Sequence, residues 1–196
     1  MVVPLRTLKR THGGFKALLA CVLCTIGFGA LASERHATLG YVYSHPADQA
    51  LSGASFRAVN QFHRNFAVET TGTYADGSGR APWGEVGLGA TLRLDLAREL
   101  AVINTEGVYG YLRAYGLYHE RDEAGYGYRL NAGMDAEIFI PGLFFEGGIQ
   151  YTNLDGYHRT GLYSQFMVDI NRTWGVGARF DVQKTAGWQF QVRRRF

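Results

Sequence analysis

Beyond residue 32 the sequence has no cysteine, a single lysine at Lys184, and no apolar run long enough for a helix to cross a membrane. A spanning helix needs roughly 20 apolar residues. Both cysteines, Cys21 and Cys24, lie before that point, so the remainder has no thiol, disulfide or cysteine metal site to work with. Close-set histidine pairs of the kind that hold a metal are missing, and so is a glycine loop that would cradle phosphate. Each absence removes a class: disulfide-stapled secreted domains, helical membrane proteins, zinc hydrolases and nucleotide-binding enzymes.

The first 32 residues form a unit of their own. Arg6, Lys9, Arg10 and Lys16 precede an uncharged stretch that ends in Ala30-Leu31-Ala32. Basic residues, a short apolar segment and small residues at Ala30 and Ala32 make a secretory signal peptide over 1–32, with cleavage expected after Ala32. The formal charge of +3 belongs to that leader, which carries four of the twenty basic residues and none of the seventeen acidic ones. Residues 33–196 are close to neutral and offer no reason to expect nucleic acid as a partner. Their basic residues are almost all arginine, whose planar fork suits crowded ion pairs and phosphate groups.

What fills residues 33–196 is alternation with a period of two, the pattern of strands that see one apolar and one polar environment. Ten segments show it. The clearest, 84–96, sets Val86, Leu88, Ala90, Leu92, Leu94 and Leu96 against Glu85, Gly87, Gly89, Thr91, Arg93 and Asp95. A second, 126–140, separates Tyr128, Leu130, Ala132, Met134, Ala136, Ile138 and Ile140 from Arg129, Asn131, Asp135 and Glu137. Segments near 37–43, 66–74, 143–152, 166–170 and 174–182 sort in the same way, while 55–62 is less regular. The stretch 108–119 places Arg113 on the same face as Tyr109, Tyr111 and Tyr115, which leaves its facing open and leaves room for a bulge.

A soluble barrel alternates too, but turns its apolar face inward. Here the polar face carries opposite charges together with Gly87, Gly89, Gly133, Gly148 and Gly177, which fits a narrow, crowded interior better than a solvated exterior. Tryptophans and tyrosines gather toward segment ends, where hydrocarbon meets headgroup. The fold expected is therefore all-β: a transmembrane antiparallel up-and-down barrel, with ten strands preferred over eight. Even strand number and connections that alternate between short and long place both chain ends on one side, with the longer loops outside; 98–107 is the exception. Interior charges expected to pair are Glu85, Arg93, Arg129, Asp135, Glu137, Glu146, Arg179 and Asp181.

The final strand sets Trp188, Phe190, Val192 and Phe196 on one face with polar residues between. It resembles the terminal signature by which bacterial outer-membrane β-barrels are recognised by their assembly machinery, and departs from it at Gln191 and Arg194. The whole of 33–196 resembles a small outer-membrane barrel of the broad OmpX and opacity-protein type. That resemblance implies a location in the outer membrane of a Gram-negative bacterium, with membrane lipid, lipopolysaccharide and the assembly machinery as partners.

Enzymatic chemistry is poorly supported. His45, His119 and His158 fall at the expected outer rim near Asp48, Glu120, Asp122 and Asp155, but without ligand spacing, so no metal, cofactor or catalytic residue is assigned. Ten-stranded omptin-type proteases carry their active site on strands that stand far above the membrane, and this chain is shorter than that design. The expectation is a non-enzymatic scaffold serving envelope integrity, adhesion or resistance. A narrow channel for ions or small solutes comes next, and a lipid A-modifying enzyme third.

Overall fold

The computed structural model describes residues 34–44, 51–77, 82–96, 107–120, 124–138, 140–155, 157–182 and 186–196. Residues 1–32, with Ala30 and Ala32 and the expected signal peptide, and His45 lie outside the described residues. Ten strands follow one another: β1 (Glu34–Ser44), β2 (Leu51–His63), β3 (Phe66–Asp76), β4 (Trp83–Asp95), β5 (Val108–Glu120), β6 (Ala124–Glu137), β7 (Leu143–Leu154), β8 (Tyr157–Asp169), β9 (Trp174–Val182) and β10 (Ala186–Arg195). Each pairs antiparallel with its neighbour in sequence, and β10 closes on β1, giving a sealed barrel with no free edge.

Closure satisfies the backbone entirely within the wall, which is what allows strands to cross a membrane. Leu39 on β1 is 64% exposed and Phe190 on β10 is 61% exposed, and Leu130, Ile149 and Leu162 continue the same outward belt. Charged residues of the same strands turn inward. A belt of exposed aliphatic side chains around a charged interior is the inverse of a soluble barrel, and it marks the wall as lipid-facing. Tyrosines flank the belt at the end that carries Ser44 and Trp83: Tyr41 leans on Trp188 at 6.1 Å, Tyr118 meets Tyr126 at 5.5 Å, and Tyr128 meets Tyr151 at 6.0 Å between ring centres. Phe66, Trp174 and Phe196 mark the opposite end.

β5 runs in unbroken register against both β4 and β6, so no bulge is present there. Tyr111, Arg113 and Tyr115 are all buried, which fixes them on the lumen side and leaves Leu112 exposed to lipid. The irregularity falls elsewhere, between Gln61 and His63 at the end of β2. Three strand ends also differ from the sequence reading. β2 begins earlier, at Leu51, β8 begins at Tyr157, and β6 stops at Glu137 rather than continuing to Ile140. Pro141 has no N–H to donate to a ladder, and Gly142 takes a left-handed φ of 86°, so the chain turns, with the Leu143 amide donating to the Ile140 carbonyl at 3.1 Å.

The expected alternation of short and long connections does not carry through. At the end bearing Ser44 the strands are joined across 45–50, 77–82, 121–123, 155–156 and 183–185; at the other end across 64–65, 96–107, 138–142 and 170–173. Ladder pairing continues to the strand tips and absorbs what looks in sequence like loop. The longest link, 96–107, lies on the side of the chain termini.

Inside, glycines make room for large partners. A Cβ on Gly133 would stand 2.5 Å from the Tyr111 hydroxyl, so the tyrosine occupies the space that any larger residue on β6 would fill.

Candidate functional site

Four strands contribute one charged residue each to a single level of the lumen: Arg57 from β2, Glu69 from β3, Arg113 from β5 and Glu146 from β7. They close into a ring of alternating sign. Arg57 Nε lies 2.9 Å from Glu69 Oε2, Arg113 Nε 3.4 Å from Glu69 Oε1, Arg113 Nη1 2.5 Å from Glu146 Oε1, and Arg57 Nη1 3.8 Å from Glu146 Oε2. Tyr115 donates to Glu69 at 2.6 Å, and the Thr91 hydroxyl donates to its other oxygen. Tyr111 and Tyr163 share a hydrogen bond, with the Arg113 guanidinium 3.9 Å above the Tyr111 ring. Glu69 is 1% exposed and Arg113 is 7% exposed, and Tyr111, Tyr163 and Met167 are buried beside them. Ions so far from water persist only when paired and hydrogen-bonded, and here each carboxylate has several donors.

The interior divides at this waist. On the side of the chain termini, Arg93 pairs with Asp135 and lies 4.3 Å over the Tyr109 ring. Lower still, Asp169 of β8 takes Arg193 at 2.8 Å and Arg195 at 2.5 Å, fastening the last strand to a strand two places round the wall. On the opposite side a cavity of about 610 Å³ opens toward the end that carries Ser44 and Trp83. Arg57, Arg113 and Tyr115 form its floor, and Trp83, His119 and Arg159 stand toward its mouth. None of Arg93, Asp135, Asp169 or Arg193 lines it, so the cavity is a vestibule that ends at the waist.

Its wall mixes charged and neutral polar side chains with apolar ones, among them Val42, Leu51, Phe56, Leu154 and Trp188. Arg129 donates to Glu85 at 2.7 and 2.8 Å and to Thr152 at 3.2 Å. Arg179 is held by Asp181 at 2.7 to 3.1 Å and donates to the Gln150 side chain at 3.1 Å, with its guanidinium 4.3 Å over the Tyr163 ring. Gln189 accepts from Ser55 and from Gln191, both at 3.3 Å. Amides and hydroxyls make up much of the rest.

Of the interior charges expected to pair, Glu85 with Arg129 and Arg179 with Asp181 flank the vestibule, Arg93 with Asp135 lies below the waist, and Glu146 belongs to the ring. Glu137 stands apart: it is exposed, and its carboxylate accepts from the Gly142 amide at the turn. Arg57, Glu69 and Arg113 are not among the interior charges expected from the sequence. The available signal was the parity of 109, 111, 113 and 115, which demanded that three tyrosines and an arginine share one side.

At the rim, His119 Nε2 lies 3.0 Å from Asp155 Oδ2. His158 is exposed and faces away from the cavity that its neighbour Arg159 lines, so the two histidines do not converge. Among the described residues no cluster of histidine and acidic side chains is arranged to hold a metal ion. Phe190, Val192 and Phe196 are exposed on the outer face, and Trp188 packs against Phe190 at 4.8 Å between ring centres. Arg194, the departure from the terminal signature, lies 5.5 Å over the Trp174 ring and 4.8 Å over Phe196, so aromatic faces hold its charge at the edge of the apolar belt.

No family model matches the chain, and no curated protein matches it. Solved structures that resemble it are barrels. The KdgM porin is 15% identical with a TM-score of 0.46, covering 83% of this chain and 97% of that one. The COG4313 outer membrane channel from Pseudomonas putida F1 is 12% identical with a TM-score of 0.47, covering 84% and 96%. Neisserial surface protein A is 13% identical with a TM-score of 0.37, covering 83% and 94%.

Proposed function

We propose that this chain is a non-enzymatic barrel of the bacterial outer membrane, closed at its waist and presenting a polar vestibule at its outer end. The observation that carries the reading is the Arg57–Glu69–Arg113–Glu146 ring, which spans one level of the lumen with paired charges and buried tyrosines. A ten-stranded wall leaves an interior that side chains are able to fill, and here they do so at the waist. Below the waist the lumen is laced by the Arg93 and Asp169 ion pairs; above it a space is left. The apolar belt supports residence in a bilayer, and the leader with the aromatic terminal strand supports export and insertion into the outer membrane with both chain ends in the periplasm. On that orientation the vestibule faces the outside, and outer-membrane lipid and lipopolysaccharide surround it.

The narrow channel is the second reading, favoured by the vestibule itself, which already supplies a polar path for half of the lumen. Conduction would require the ring to part. Planar-bilayer recording separates the two: the closed-waist reading expects no steady single-channel steps from the native barrel and steps after Arg113→Ala. Stable conductance from the native protein overturns it in favour of the channel.

A further inference from the structure

Toward its mouth the lining of the vestibule turns apolar. Leu51 of β2, Ala75 of β3, Trp83 of β4 and Leu154 of β7 line the cavity near the strand tips. Each lies an even number of residues along its own strand from an inward polar side chain, Arg57, Glu69, Glu85 and Thr152 respectively, so the pleat turns all four into the lumen. They form a collar. A Cβ on Gly127 would stand 2.8 Å from Leu154 Cδ2, so β6 gives up a side chain where the leucine leans in. The lumen of a membrane barrel is ordinarily polar, and an apolar collar inside it has no lipid to meet.

The charge of the same lining is one-sided. Arg57, Arg113, Arg129, Arg159 and Arg179 line the cavity, and its acids are Glu85 and Asp181. Glu69 and Glu146 hold the floor arginines from within the waist and are not part of the lining; counted with it, they still leave arginine in excess. A guanidinium has five donors, so one that is held by a carboxylate keeps others for a second anion. The bonds of Arg129 to Glu85 and Thr152, and those of Arg179 to Asp181 and Gln150, run through Nε and Nη2 alone. A cleft lined by an excess of one sign, within walls of low dielectric, concentrates the opposite charge and repels its own. The volume, about 610 Å³, falls within the range of roughly 300–1,000 Å³ of small-molecule pockets.

Building on the vestibule of the closed-waist reading, on which it rests, we propose that this cavity binds an organic anion with an apolar body, its charged group among Arg57, Arg129 and Arg179 and its body against the collar. The test is isothermal titration calorimetry of the full-length processed barrel in non-ionic detergent micelles with phenylacetate, with empty micelles as the blank. Saturable binding is expected. Phenylacetamide, which has the same ring and no charge, is expected to bind about tenfold more weakly, because it forgoes charge-assisted hydrogen bonds. Acetate, which keeps the charge and lacks the ring, is expected to bind about tenfold more weakly for want of apolar contact. Phenethylamine is expected to bind more weakly than either phenyl ligand. These comparisons use the native barrel, so no folding failure enters them. Arg179→Gln is expected to weaken phenylacetate about fivefold and leave phenylacetamide unchanged, whereas Leu154→Ser is expected to weaken both about threefold. Arg194→Gln, on the outer face, is expected to change neither. No saturable binding of phenylacetate, equal affinity for phenylacetamide or for acetate, tighter binding of phenethylamine, or binding unchanged in both the Arg179 and the Leu154 variants overturns the inference. Bilayer conductance of the same preparations tests the waist independently: a conducting barrel that binds phenylacetate refutes the closed waist alone, and a silent barrel that does not bind refutes the ligand alone.

Discussion

Arg113 and Glu146 face each other across the lumen through two side-by-side hydrogen bonds, Nη1 to Oε1 at 2.5 Å and Nη2 to Oε2 at 3.0 Å. This fork-to-fork geometry joins β5 to β7, which are not neighbours in the wall, so it braces the barrel across its interior. The same guanidinium approaches Glu69 at 3.4 Å, so Arg113, like Arg57, serves both carboxylates, and it alone grips Glu146 through two hydrogen bonds.

Arg113→Leu should therefore be the most damaging single charge removal in the barrel. It leaves Glu146 with only the Arg57 guanidinium at 3.8 Å and takes one of two cations from Glu69, and breaking a buried pair from one side typically costs about 3–5 kcal/mol. Arg172→Leu in the exposed turn after β8 should change stability by less than about 0.5 kcal/mol. Urea unfolding of the detergent-refolded barrel, followed by tryptophan emission, measures both; equal midpoints would remove the ring from its bracing role.

Arg129→Leu leaves Glu85 without its cation, but at the wall of a cavity of about 610 Å³ rather than within the waist. Solvent in the vestibule offsets part of the penalty, so the loss should be smaller than for Arg113→Leu, on the order of 1–3 kcal/mol. A loss as large as that of Arg113→Leu in the same urea experiment would mean that the vestibule is dry.

Deleting Phe196 should leave export intact yet lower insertion, because β10 loses the aromatic terminus that resembles the assembly signal and the ring over which Arg194 sits. Asp169→Asn should act on the same strand from inside, releasing Arg193 and Arg195 from their shared anion and lowering the temperature at which the folded band is lost in heat-modifiability gels. Normal amounts of heat-modifiable barrel after deletion of Phe196 would contradict the reading of the terminus.

Orientation is accessible to single cysteines, since residues 33–196 contain none. Asp76→Cys, at the exposed tip of β3, should react with an impermeant thiol reagent on whole cells. Arg172→Cys, at the opposite end, should react only after the outer membrane is permeabilised. The reverse pattern would turn the barrel over and point the vestibule at the periplasm.

Strand number and facing were largely legible along the chain. In β4 and β6 each lipid-facing residue alternates with a polar one, and a two-residue period leaves no second solution once the exterior is hydrocarbon. β5 was the exception, because tyrosine is at home both at the headgroup level and in a packed interior. Only its neighbours decide: with Glu69 and Tyr163 opposite, the Tyr115 and Tyr111 hydroxyls find partners inside that hydrocarbon would deny them. Loop lengths misled for a related reason, since polar strand tips that remain in the ladder look like loop in sequence.

By itself the sequence determined ten alternating segments, with apolar residues for lipid, charges and glycines for the lumen, and an aromatic strand at 188–196. Only the tertiary structure decided which charges meet. Arg57, Glu69, Arg113 and Glu146 are scattered over four strands, and their common height depends on the stagger set when β10 closes on β1. A slip of two residues in any pairing would keep every side chain on its proper face and leave the local alternation unchanged, but would break the ring. The waist and the vestibule above it are therefore properties of closure, in which partners distant in sequence are brought to one level by hydrogen-bond register.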